Sequence, residues 1–279
     1  MKITDEDIKE LKSHANEARK SIIEEVYLAG SGHPGGALSV VDILTVLYFN
    51  QMNIDPEKKD DLNRDRLVLS KGHASAALYA VLAERGYFPK EELKSFRKLG
   101  SSLQGHPDMN KVPGVDMSSG SLGQGLSVAN GMALASKMDS KGYRVYCIVG
   151  DGEIEEGQIW EACMTSSKYN LDNLCVIVDN NNLQIDGEVT KVKKSVYPLK
   201  DKFEAFGFEV FEVDGHNIDE LIMTFQKVRQ TKGKPSVVLA KTIKGKGVKF
   251  MENSVEWHGK APKEEEYKLA MKGLEEMGD

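Results

Sequence analysis

Two short runs in this sequence place oxygen ligands where a hard cation and a small anion would meet. Gly150-Asp151-Gly152 closes an apolar run, Tyr143–Val149, and Asp179-Asn180-Asn181-Asn182 closes the next one, Leu174–Asp179. Both runs read as buried strands of a parallel sheet, and such sheets bind ligands beyond the carboxyl ends of their strands. Flanking glycines let backbone approach an anion closely, and helix N-termini offer unpaired N–H groups. An Asp carboxylate with an Asn carbonyl oxygen is a hard donor set suited to Mg²⁺, with a diphosphate completing its shell. A dinucleotide site fits less well, because Asp151 would repel a pyrophosphate unless a cation lay between them. The plainer alternative, in which Asp151 only caps the next helix, stays open. A second Gly-x-Gly-x-x-Gly at Gly30, Gly32 and Gly35 follows a helix rather than a strand, so dinucleotide binding is rejected there.

Five of six histidines adjoin glycine; besides the turn residue His216 these are Gly32-His33-Pro34, Gly72-His73-Ala74, Gly105-His106-Pro107 and Trp257-His258-Gly259. Single histidines are usually structural, but four in one local context outside regular elements fit that account poorly. No pair has zinc-ligand spacing and no cysteine is near. Imidazoles on glycine loops suit hydrogen-bonding and proton transfer around a polyhydroxylated substrate. His14 reads as a helix surface residue and His216 as a turn residue. The lysines of Lys241–Gly247 and Lys260 are either a solvated loop or an anion-binding run. Glu153, Glu155, Glu156 and Glu161 follow Gly152 and are mostly solvent-facing near a helix N-terminus; spacing does not choose a buried one between Glu156 and Glu161.

The elements that position these residues follow from periodicity and caps. Thr4 with Asp7 opens a first helix that Gly30 stops. Ser39 with Asp42 predicts the start of a second, Val40 to Phe49. A short strand over 66–70 precedes helices over 74–85 and 90–98. Residues 100–125, rich in Gly, Ser, His and Pro, show no periodicity, and structureless stretches of that length inside a compact chain are usually functional. A helix over 125–138 follows. Then strands over 143–149, 174–179, 208–213 and 235–240 alternate with helices over 157–169, 199–206 and 218–229, the last opened by an Asn217/Glu220 box; a helix over 262–277 ends the chain. This alternation predicts an α/β fold, a doubly wound and mostly parallel sheet with helices on both faces. No repeat or linker marks a boundary, which predicts one domain.

At 279 residues, 40% hydrophobic and 29% charged, the composition is that of a globular chain. The net charge of −6 argues against a nucleic-acid or membrane-surface protein. The acidic start, Met1–Asp7, lacks the basic and apolar regions of a signal peptide. Cys147, Cys163 and Cys175 have no CxxC spacing and read as buried reduced thiols, which predicts a cytoplasmic protein.

Taken together, these segments resemble the N-terminal half of transketolase, the thiamine-diphosphate enzyme. The matching pieces are Ala29–Gly35, Ser70–Ala74, Gly105–Pro107, Gly120-Ser121-Leu122-Gly123-Gln124-Gly125, Gly150–Glu153, Asp179–Gly187, Asp214–His216 and Trp257–Lys260, in family order across nearly the whole chain. The resemblance implies the thiamin diphosphate-binding fold of a PP domain over 1–279. It implies that Asp151, the Asn181 side chain and the Leu183 carbonyl hold Mg²⁺. Gly152, Glu153, Asn181, His73, His258, Lys71 and Lys260 would serve the diphosphate or substrate, and Gly120, Leu122 and Ile185 the cofactor rings. His33, His73, His106 and His258 would bind sugar hydroxyls and move protons, and Glu156 would join a glutamate network with Glu161. The implied activity passes a two-carbon ketol unit from a ketose to an aldose.

In that family a second domain supplies the glutamate that pairs with the aminopyrimidine nitrogen, an aromatic wall and most sugar-phosphate contacts. After Lys260 only a charged helix remains, so the pyrimidine-binding and C-terminal domains are expected on a separate C-terminal subunit, in a heterotetramer. Ser121 also stands where the family often has proline. Two alternatives remain: one subunit of a deoxyxylulose-phosphate-synthase-like enzyme, or a non-catalytic regulatory partner.

Overall fold

The central strands are apolar on both faces, so helices must cover both sides of the sheet. The computed structural model describes residues 4–278, and the first three residues of the acidic start lie outside them. In chain order the elements are α1 (Asp5–Ala29), α2 (Pro34–Val46), β1 (Arg66–Leu69), α3 (Ser75–Arg85), α4 (Gln124–Met138), β2 (Val145–Gly150), α5 (Gly157–Lys168) and β3 (Leu174–Asn180). They continue with a small ribbon of β4 (Leu183–Gln184) and β5 (Gly187–Glu188), then α6 (Val189–Val192), α7 (Leu199–Ala205), β6 (Glu209–Asp214), α8 (Ile218–Gln230), β7 (Ser236–Lys241) and α9 (Glu264–Gly278).

The main sheet is parallel throughout, in the order β1-β2-β3-β7-β6. Alternate strand residues feed two apolar layers. Leu67, Leu69, Tyr146, Ile148, Cys175, Ile177, Val238 and Ala240 pack with α1, α2, α3 and α8. Val68, Cys147, Val149, Val176, Val178, Val237 and Leu239 pack with α4, α5 and α7. All three cysteines are buried free thiols. No helix among the described residues is long and apolar enough to cross a membrane.

The register levels the carboxyl ends of the strands. Gly150 pairs with Asp179, and Asp179 with Ala240 on its other side. The strand order reverses between β3 and β7, the crevice where open α/β sheets bind ligands.

Local signals were accurate where a polar cap was present. Thr4 Oγ1 accepts from Asp7 N–H and the Asp7 carboxylate accepts from Thr4 N–H, while Gly30 ends α1 at φ 63°. Asn217 Oδ1 accepts from Glu220 N–H at the start of α8. The second helix departs from expectation: it starts at Pro34, with Ser39 inside it, and its last turn widens over Leu47–Gln51. Pro34 needs no N–H partner in a first turn, and every residue of α2 is buried, so no polar boundary marks its start. Ser39 Oγ lies instead 2.5 Å from an Asp179 carboxylate oxygen. The helix expected over 90–98 is a 3₁₀ segment, Lys90–Ser95, ended by left-handed Arg97 at φ 58°. His14 is not a free surface residue: its ring stacks on Phe49 at 4.1 Å and Nδ1 lies 2.9 Å from Glu84.

Asp42, expected to serve a helix cap, is the centre of a buried cluster. It lies 2.5 Å from Arg19 of α1 and 2.8 Å from Nδ1 of His216. His216 Nε2 accepts from Ile243 N–H, so its proton is on Nδ1. His216 is thus a turn residue that ties the end of β6 to α2 and to the segment after β7. Burial alone would push Asp42 up, but Arg19 and His216 hold it below the usual carboxylate range. Asp42→Ala strands Arg19 without its counter-charge and is expected to cost about 3–5 kcal/mol. Urea unfolding measures this, and a midpoint equal to wild type would refute the clamp.

Candidate active site

The carboxyl ends of four strands together deliver one wall of a cleft of about 310 Å³. After β1 the chain turns through Lys71, Gly72 and His73; after β2 come Asp151 and Gly152; after β3 come Asn181 and Leu183; after β7 comes Lys244. His33 enters from the start of α2, His258 from the segment before α9, and His106, Gly120 and Leu122 from the long aperiodic stretch. Close backbone approach makes this convergence possible. A Cβ on Gly35 would lie 2.8 Å from the Trp257 carbonyl, so only glycine lets α2 press against the segment carrying His258.

Three imidazoles cluster. The ring centroids of His33, His73 and His258 are 5.3–5.6 Å apart. Burial first, then neighbouring cations, lowers all three: His33 to about 4 by burial, Arg97, His106 and Lys244, and His258 to about 3 by burial, Lys244, His33 and Lys71. His73 falls well below its ordinary value through burial, Lys71 and the other two rings. Arg97 donates to His33 Nδ1 at 3.4 Å, which leaves the ring proton on Nε2. His258 Nδ1 is buried with no partner.

The carboxylates divide into a satisfied and an unsatisfied one. Asp179 is fully buried and receives Lys71, Ser39 and Thr242; burial would raise it, but Lys71 and these hydroxyls hold it low. Asp151 accepts from Gly152 N–H (2.9 Å) and Asn182 N–H, yet burial and the nearby Asp179 push it up to about 7. Left-handed Asn182 (φ 59°) turns the chain between Asn181 and Leu183. Asn181 Oδ1 caps Leu183 N–H, and the Leu183 carbonyl accepts from Lys244 Nζ at 3.2 Å. Burial, then Lys71, lowers Lys244 to about 8.

Most residues anticipated from sequence line this cleft: His33, His73, His106, His258, Lys71, Gly120, Leu122, Asp151, Gly152, Glu153, Asn181, Leu183 and Ile185. Two do not. Lys260 turns away to Glu256 (2.7 Å) and Glu266 (3.4 Å) over the Trp257 ring, because carboxylates close along the chain compete for it. Glu156 is exposed as the cap residue of α5, and Glu161 is exposed as well. The expectation that the glutamates after Gly152 are mostly solvent-facing fails at Glu153, which is buried. Sequence reasoning missed Lys244, Gln184 and Arg97 as site residues, and placed Asp179 at the site without assigning it a role. The lysine run at the exit of β7 was the available signal for Lys244; Arg97 carried none.

The family description "Transketolase, thiamine diphosphate binding domain" matches residues 11–275. The chain belongs to the transketolase family. Among its relatives, the 6-deoxy-6-sulfo-D-fructose transketolase subunit SqwG of Clostridium sp. (strain MSTE9) is 46% identical over 96% of this chain and 98% of its own length. An apulose-4-phosphate transketolase subunit from Phocaeicola vulgatus is 43% identical over 96% of this chain and 94% of its own. The crystal structure of transketolase from Campylobacter jejuni superposes with a TM-score of 0.89 at 36% identity, covering 99% of this chain and 43% of that one. This chain therefore spans about two fifths of that longer transketolase.

The cleft fits the family's cofactor and a divalent metal on its own chemistry. Among the described residues no three His, Cys, Asp or Glu side chains gather as a metal cluster. Asp151, Asn181 and the Leu183 carbonyl offer oxygens alone, a set that suits a hard cation sharing its shell with phosphate oxygens. The raised Asp151 is a buried carboxylate short of positive charge, which such a cation supplies. In the ligand-free protein the three clustered imidazoles are neutral at pH 7. Because their folded values lie below 6.5, the unfolded chain binds more protons as pH falls, so these groups withdraw stability below about 6.5, His33 down to about 4 and His258 down to about 3. NMR titration should show the His33 ring neutral at pH 5.5; a midpoint above 6 would contradict the site electrostatics.

Proposed function

We propose that this chain is the diphosphate-binding subunit of a two-chain transketolase, with residues 1–279 forming one PP domain. A separate subunit carrying the pyrimidine-binding half completes the active site, in a heterotetramer. The observation that carries this is the one-sided cleft. Its polar, diphosphate side is built and buried, whereas Leu122 and Ile185, on its ring side, are 38% and 66% exposed. The two named relatives matched along almost their whole length are both subunits, which supports a partner chain. Val128 of α4 and Met164 of α5 are also exposed, as are Glu156 and Glu161, where the glutamate network would meet the partner.

Asp151, the Asn181 amide oxygen and the Leu183 carbonyl would hold Mg²⁺, and Lys244, whose ammonium donates to that carbonyl, would add positive charge beside the diphosphate. Gly152 and Asn181 line the cleft where the diphosphate would lie, Gly152 N–H being donated to Asp151, and Lys71 stays paired to Asp179. Thiamine diphosphate, when bound, supplies the nucleophilic carbon for cleavage and transfer of a two-carbon ketol unit. His33 offers Nε2–H to a substrate oxygen, and His73, His106 and His258 bind hydroxyl or carbonyl oxygens. Each neutral imidazole offers one N–H donor and one acceptor nitrogen, so the cluster can orient both hydroxyl and carbonyl oxygens of a sugar. The substrates are sugars or sugar phosphates, and the protein is cytoplasmic.

Ketol transfer assayed with and without the partner tests this reading. The purified chain alone is expected to be inactive and the reconstituted pair active; robust transfer by the chain alone would refute it. Decarboxylation of pyruvate by the pair would favour a deoxyxylulose-phosphate-type synthase, and full activity in His73→Ala a regulatory role. A separate expectation concerns the metal: Asp151→Ala should abolish Mg²⁺-dependent thiamine diphosphate binding by the pair, measured by calorimetry, and unchanged affinity would remove Asp151 from the metal site.

A further inference from the structure

Glu153 was anticipated as a cofactor contact, but its carboxylate is already committed elsewhere. The side chain is 3% exposed and accepts from three separate segments. Oε1 receives the Ser70 hydroxyl and Gly123 N–H (2.8 Å), and Oε2 receives Gly150 N–H (3.0 Å). A carboxylate has about four acceptor positions, so three are occupied. Each donor adjoins a piece of the cleft. Ser70 precedes Lys71-Gly72-His73; Gly123 ends the loop that carries Gly120 and Leu122; Gly150 precedes Asp151.

The packing around this carboxylate is tight on the side of the loop. Gly123 is left-handed at φ 85°, and a Cβ there would lie 2.9 Å from Glu156 Cβ. A Cβ on Gly125 would lie 2.4 Å from Ser70 Cβ. The first turn of α4 is thus seated on the end of β1 with no slack. Backbone N–H groups cannot be left buried without a partner, so a group that satisfies two of them and a hydroxyl at once fixes their relative heights. The Gly120–Gly123 stretch has no regular structure of its own and needs such an anchor.

We infer that Glu153 is a positioning residue, not a ligand: its carboxylate sets the loop carrying Gly120 and Leu122 at a fixed height against the Asp151 end of β2 and the His73 turn. It couples the side of the cleft that receives the cofactor rings to the side that receives the diphosphate. The ring-side consequence rests on the thiamine diphosphate reading above; the loop anchoring does not.

The test uses the full chain. Glu153→Gln keeps the shape but replaces one acceptor oxygen with an NH₂ group facing donors. Hydrogen exchange of the Gly123 and Gly150 amides is expected to quicken at least tenfold, with the β7 amides unchanged. Calorimetry with Mg²⁺ on the pair reconstituted with the partner subunit should then show thiamine diphosphate binding weakened at least tenfold and inorganic pyrophosphate, which has no ring, weakened less. Ser70→Ala removes one donor and should show the same pattern at smaller amplitude in a stably folded protein. Unchanged protection at Gly123 and Gly150 overturns the inference. So does an equal loss for both ligands, or faster exchange spread through β7, since either describes a general stabilising role. If the wild-type pair binds neither ligand, the cofactor reading fails, while the exchange result still decides the anchoring.

Discussion

A carboxylate buried at the end of the central strand organises this molecule. Asp179 closes β3 with no access to water, and an ionised carboxylate there is tolerated only with charge and hydrogen bonds supplied by protein. Lys71 supplies the charge from the exit of β1, Ser39 a hydroxyl from inside α2, and Thr242 another from the exit of β7. One group therefore draws together four chain segments at the carboxyl edge of the sheet. The His73 turn, the Lys244 segment and the α2 end that carries His33 all arrive on elements tied to it.

The same arrangement sets the electrostatics of the cleft. With Asp179 neutralised by Lys71, the second carboxylate, Asp151, has no cation of its own and is pushed up by burial and by Asp179. Among the described residues Lys244 and Arg97 have no carboxylate partner within salt-bridge distance, and with burial they keep His33 neutral. A site with surplus cations, neutral imidazoles and an under-compensated carboxylate is organised around an anion and a metal that belong together. Binding a diphosphate together with a divalent cation would relieve both imbalances at once.

Legibility followed the kind of force involved. Strands were readable as short continuous apolar runs, as in Val145–Val149, and amphipathic helices because burial repeats with the helical period, as at Ile218, Leu221, Ile222 and Phe225. Polar caps such as Thr4 and Asn217 marked helix starts because their bonds close within one turn. The start of α2 was misread because a helix buried on every face carries no polar boundary, and its Ser39 hydroxyl serves a strand 140 residues away. His14 and Lys260 were misplaced for a similar reason: the ring found Phe49 and Glu84 across the helix layer, and the ammonium found nearer carboxylates than the cleft.

The sequence by itself determined the alternation that makes a doubly wound sheet, the edge at which ligands bind, and the set of glycine-flanked histidines and oxygens that identify the family. Those depend on local chemistry and on motifs close in the chain. Only the tertiary structure decided which charges are spent on structure and which remain for a ligand. Glu153 and Lys71 are consumed by buried partners, Glu156 faces outward, and Lys244 and Arg97 enter the site from distant segments. The pairing of a buried charge depends on which donors the fold brings within about 3 Å of it, and sequence spacing carries no record of that distance.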